Sequence, residues 1–196
     1  MIRAVLVCCL VVLPVAADAF EVWDGPLVSY SKAGTDDPND PAFQDELTTN
    51  VRITRGFQGG IYNVAQESFF SQTTSPADTE WAFSGLNGSP SGSAFSATNC
   101  ANSPGLCDFR NWFDAQGENS MGENLVGRPA VVHLITDDIY LDLTFSEFTS
   151  VNLGARVAYE RASPSSSVPV PLPAWAVMLI ALLIVWVGGR TIRRNT

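Results

Sequence analysis

The chain has 196 residues, 46% of them hydrophobic and 10% aromatic, with 11 basic and 20 acidic side chains and a net charge of −9. No heptad pattern, collagen repeat or series of apolar spans runs through it, which excludes a coiled coil, a collagen-like chain and a polytopic membrane protein. The aromatic content argues against wholesale disorder, and the acidic balance excludes a nucleic-acid binder, whose phosphate contacts need clustered Lys and Arg.

Residues 1–19 read as a secretory signal peptide. Met1 to Arg3 gives a short positive start, and Ala4 to Val15 is an apolar segment broken only by Pro14. Ala17-Asp18-Ala19 then places small residues at the two positions a signal peptidase reads, so cleavage is expected before Phe20. The segment is short against the roughly 20 residues of a membrane span, which favours cleavage over a retained anchor. Cys8 and Cys9 would leave with it.

Residues 20–162 read as an extracytoplasmic domain built from short strands. Strand candidates in chain order are Leu27–Ser31, Val51–Arg55, Ile61–Tyr62, Glu67–Phe70, Glu80–Ser84, Phe109–Phe113, Ala130–Thr136, Ile139–Ser146 and Ala155–Arg161. Alternation is strictest in the eighth, where Ile139, Leu141, Leu143 and Phe145 share one face and Tyr140, Asp142, Thr144 and Ser146 the other. The run before it is more continuously apolar, and Asp137-Asp138 between them reads as a hairpin turn. No stretch sustains a 3.6-residue period. The expected fold class is all-β, an antiparallel two-sheet sandwich, with a jelly roll as one version of it.

Cys100 and Cys107 enclose a Ser-Pro-Gly loop, and in an exported protein a disulfide between them is the expected pairing. Residues 20–167 carry 19 acidic and 7 basic side chains, a net charge of −12. The densest acidic run contains Asp36, Asp37 and Asp40, hard oxygen ligands that would suit Ca²⁺. The competing reading is a solvated turn whose carboxylates cap backbone groups. No other cofactor is expected.

For catalysis, Asp137, Asp138 and Asp142 with Glu80 or Glu147 would supply the paired carboxylates of an extracellular polysaccharide hydrolase. Turn formation and a solvent-facing strand position explain them more simply. His133, flanked by apolar residues and without a G-x-S-x-G elbow in the chain, reads as a partly buried structural histidine. The domain is therefore expected to be non-enzymatic. Tyr140 and Asp142, sharing an outward face, form the candidate ligand face of a carbohydrate-binding module, since aromatic rings stack on sugars as well as filling cores.

From Ser163 the composition becomes Pro- and Ser-rich, and residues 163–173 read as an extended linker. Residues 174–189 then run without a charge. Sixteen helical residues reach about 24 Å, and Leu172, Trp175 and a snorkelling Arg190 extend this toward the roughly 30 Å of a hydrocarbon core. This is the expected single transmembrane helix. Arg190, Arg193 and Arg194 follow in a basic tail, residues 190–196, that would stay in the cytoplasm.

Val168-Pro169-Val170-Pro171-Leu172-Pro173-Ala174, one span and an Arg-rich end resemble the VPLPA-type C-terminal signal of PEP-CTERM proteins. The resemblance covers about thirty residues and concerns destination, not activity. It implies a signal peptidase and an exosortase-type sorting protease as partners, and cleavage near the Pro motif. The product would go to the cell surface or an extracellular polysaccharide matrix. The Pro motif here is partly doubled, and the tail ends Asn195-Thr196 after three arginines. The phrases ITRGFQGGIYN (53–63), SPADTEWAF (75–83) and HLITDDIYLDLTF (133–145) also resemble a recurrent secreted bacterial domain, a resemblance that carries no catalytic assignment.

Overall fold

The computed structural model of the protein describes residues 20–117, 122 and 125–165. Its strands are β1 (Glu21–Trp23), β2 (Leu27–Lys32), β3 (Asp45–Glu46), β4 (Arg52–Arg55), β5 (Ile61–Asn63), β6 (Thr79–Phe83), β7 (Pro129–Leu134), β8 (Ile139–Phe148) and β9 (Val157–Ala162). Two short helices, α1 (Ala97–Asn102) and α2 (Trp112–Ala115), accompany them. The larger sheet has the order β2-β9-β8-β7-β6, antiparallel throughout, and β1 runs parallel to the first residues of β8. The smaller sheet is β3-β4-β5, also antiparallel. The described residues are thus mostly β, in two sheets that are antiparallel apart from β1.

The hydropathy of each strand follows from what covers it. The Ile139, Leu141, Leu143 and Phe145 side chains of β8 join Val132 and Leu134 of β7 in the main core, which Val51, just before β4, and Ile53 and Ile61 of the smaller sheet complete. β7 is continuously apolar because both its faces are covered. Val131 points away from the main core into a second cluster with Ala82, Phe95, Ala97, Cys100 and Cys107. That cluster is roofed by α1 and the loop after it. Ser96 caps α1 by accepting from the Asn99 N–H (3.2 Å). Cys100 and Cys107 are disulfide-bonded, their Cα atoms 5.4 Å apart, and both are buried against Val131.

Two strand expectations are corrected. Glu67–Phe70 forms an irregular bend after the turn at 64–66, because the Glu67 carboxylate gathers the Asn63 and Ala77 N–H groups (2.8 Å each) and the Ser75 hydroxyl (2.5 Å). Phe109–Phe113 contributes one residue of pairing, Arg110 to Trp81 (2.7 and 2.9 Å), before Asn111 caps α2. Strands β1 and β3, three and two residues long, were too short to show a period.

The two sheets are also joined by polar contacts. Asp45 of β3 accepts two bonds from the Arg161 guanidinium of β9 (2.7 Å each) and one from the Tyr159 hydroxyl (2.8 Å). Arg55 of β4, buried, donates to the Arg156 carbonyl (2.8 Å) and lies 3.8 Å over the Phe148 ring. Among the described residues no helix is long and apolar enough to cross a membrane. The expected signal peptide (1–19) and membrane span (174–189) lie outside the described residues.

Candidate functional site

Three side chains line up across the outer face of the larger sheet: Glu80 opposite His133, and His133 opposite Tyr140. His133 Nδ1 lies 2.8 Å from Glu80 Oε1, and Nε2 lies 3.1 Å from Asp138 Oδ1. Asp138 reaches back from the hairpin turn, where it adopts a left-handed conformation (φ 51°). The Tyr140 ring stacks on the imidazole at 4.0 Å and 7°. Phe109 meets both rings edge-on at 6.1 and 5.8 Å, and Phe20 meets Tyr140 the same way at 5.9 Å.

Burial works against charge on His133, but hydrogen bonds and charge from Glu80 and Asp138 outweigh it and raise its pKa. Tyr140 is raised too, by burial first and then by Asp138 and Glu80. Both imidazole nitrogens face carboxylates, so neither is free to act as a base toward a hydroxyl nucleophile.

Tyr140 and Asp142 do share the outward face, but each is engaged. One face of the Tyr140 ring is covered by His133, and its edges meet two phenylalanines. Asp142 Oδ1 accepts the Ala97 N–H at the start of α1 (2.9 Å). Burial of that carboxyl raises its pKa, and the Ala97 bond offsets part of the rise. The remaining carboxylates also have partners. Asp137 accepts from Thr48 (2.6 Å) and Asn50 (2.9 Å), and Glu147 lies 3.7 Å from Arg156. Of the acid candidates, only Glu80 and Asp138 are brought together, on opposite nitrogens of one imidazole.

The acidic turn is occupied by the protein itself. Asp36 Oδ2 accepts the Ala33 N–H (2.8 Å), Asp37 Oδ1 accepts from the Asn39 backbone (2.9 Å), and Asp40 Oδ1 accepts the Ala42 N–H (2.9 Å). Lys32, the only lysine in the chain, is buried, and its ammonium donates to the carbonyls of Ala33 (3.0 Å) and Asp36 (2.6 Å). An internal cation thus holds carbonyl oxygens of the kind a calcium ion would seek. Burial lowers the Lys32 pKa, and Asp36 and Asp37 counter it. Among the described residues no group of three or more His, Cys, Asp or Glu side chains is placed to hold a metal.

Sequence reasoning missed Lys32, the Asp45–Arg161 pair and the Glu80–His133–Asp138 row. A lone lysine directly before an acidic turn was a readable signal for the first. The other two depend on strand register, which composition does not carry.

Phe20, the residue after the expected signal cleavage, is exposed. Ala17 and Ala19, the sorting motif Val168, Pro169, Val170, Pro171, Leu172, Pro173 and Ala174, and the basic residues Arg190, Arg193 and Arg194 lie outside the described residues. Compared with protein-family models, curated proteins and solved structures, the chain matches none.

Proposed function

We propose that the chain is an exported, non-catalytic protein of the cell envelope or extracellular matrix. Residues 1–19 act as its signal peptide. The domain that follows is a β-sandwich, its two sheets packed over the shared core. The sequence VPVPLPA, the apolar span 174–189 and the arginines after it form an exosortase-type sorting signal. The precursor would be a single-pass membrane protein before sorting.

The observation that carries this reading is the buried Cys100–Cys107 disulfide, which belongs to an oxidising compartment outside the cytoplasm. The engagement of every candidate acid and base in a structural bond supports a non-catalytic role. Replacing Pro171 and Pro173 by Ala in the native host tests the sorting step. The variant is expected to stay in the membrane fraction with its C-terminus attached, and processing as in the wild type would overturn the assignment of this motif.

A second reading, a carbohydrate-binding module, is favoured by one observation. Exposed Phe20 lies edge-on to Tyr140, as Phe109 does, beside Glu80 and Asp138, and aromatic surface next to polar groups is what sugars engage. Binding on a glycan array that disappears in Tyr140→Ala supports it, and uniform failure to bind removes it.

A further inference from the structure

We propose that Glu80, His133 and Asp138 form a pH-responsive clasp that, when closed, fastens the β7–β8 hairpin to β6 and seats the N-terminal strand β1. His133 is the only histidine in the chain and lies between two carboxylate oxygens, at 2.8 and 3.1 Å. A neutral imidazole has one donor and one acceptor nitrogen. It donates to one carboxylate and turns a lone pair toward the other. The imidazolium donates to both, so two carboxylate oxygens at these distances favour the protonated ring.

What the clasp holds follows from Asp138. Its side chain meets His133, while its carbonyl accepts the Glu21 N–H of β1 (2.9 Å). Phe20, just before β1, packs on Tyr140, and Tyr140 stacks on His133. The N-terminal residues of the domain therefore rest on the turn and the ring that His133 positions.

The groups facing His133 are Glu80 from β6, Asp138 from the turn, the Tyr140 phenol from β8 and the uncharged Phe109 from the segment after the disulfide loop. The charged residues flanking Phe109, Asp108 and Arg110, pair with each other at 2.8 Å. Burial lowers the imidazole pKa and the two carboxylates raise it by more, so the folded value lies above the ordinary 6.5. A raised folded pKa means that this stabilisation is fully present below the unfolded value and is lost as pH rises through the folded one. The clasp closes in mild acid and loosens in mild alkali. It does not depend on the export reading.

Proton NMR of the purified full-length chain follows the single imidazole directly. The expected midpoint lies above 6.5, and Glu80→Gln and Asp138→Asn each move it down. The melting temperature is expected to fall from about pH 6 to about pH 9 as the ring loses its proton, and His133→Gln should flatten that slope. A midpoint at or below 6.5 in the wild type, a measurement that needs no variant to fold, would overturn the proposal. An unchanged slope in His133→Gln would overturn it as well.

Discussion

The Asp45 carboxylate takes two bonds from Arg161 and one from the Tyr159 hydroxyl, all between the sheets and all away from water. A buried ion pair of this kind adds little over a well-packed apolar replacement, but leaving one partner alone strands a charge. Asp45→Ala is therefore expected to cost about 3–5 kcal/mol in chemical denaturation. A double replacement of Asp45 and Arg161 by apolar residues of similar volume should recover most of it. A single-mutant loss below about 1 kcal/mol would show that the pair is solvated.

Tyr30 and Tyr159 extend the same logic to high pH. Burial raises the pKa of both, and Asp45 adds to the rise. The neutral phenols thus contribute stability that is intact below about pH 10 and is lost as pH climbs beyond it. Ultraviolet titration should show tyrosine ionisation lagging behind that of the unfolded chain and ending together with the loss of folded structure. Ionisation of all four tyrosines at the ordinary value would contradict this.

At the scale of elements, the ITRGFQGGIYN phrase has a steric explanation. A Cβ on Gly60 would sit 2.6 Å from the Phe70 ring and also collide with Trp112, and one on Gly59, whose φ is +84°, would lie 2.7 Å from the same ring. Phe70 in turn meets Trp112 edge-on at 5.9 Å. Gly60→Ala is expected to destabilise the domain by about 1–3 kcal/mol through overpacking, read from a denaturation midpoint.

The loop under α1 makes a second element-scale case. Removing the Cys100–Cys107 bond by paired Ser substitution should cost about 2–3 kcal/mol by loop-closure arithmetic. Amide exchange should quicken first in α1. For the acidic turn, the Lys32 ammonium and the backbone caps predict a melting temperature unmoved by millimolar Ca²⁺. A rise of several degrees would indicate a site that the turn assembles on binding.

These elements also show how much of the fold is legible in the sequence. β8 announced itself because one face is buried and the other is not, so alternation was visible residue by residue. β7 was readable as a strand, while its burial on both faces needed the second cluster to explain it. Glu67–Phe70 misled because two adjacent phenylalanines have opposite fates: Phe69 is 74% exposed and Phe70 packs inward. The disulfide was readable from spacing and composition. The His133 row was not, since Glu80 and Asp138 reach His133 only through cross-strand register and a left-handed turn residue.

At the scale of the whole molecule, the β domain and its address are separate problems. The described residues account for a folded unit whose candidate acids, single histidine and single lysine are in structural use. The proposed address rests on the order of segments along the chain, from signal peptide through domain to Pro motif, apolar span and arginines. Intact mass and fractionation of the native protein from its own cells test it most directly. The expected mass lacks residues 1–19 and the residues beyond the Pro motif, and the protein is recovered at the cell surface or in the matrix. A mass retaining residues 190–196 in the membrane fraction would contradict it and make the chain a single-pass anchored ectodomain.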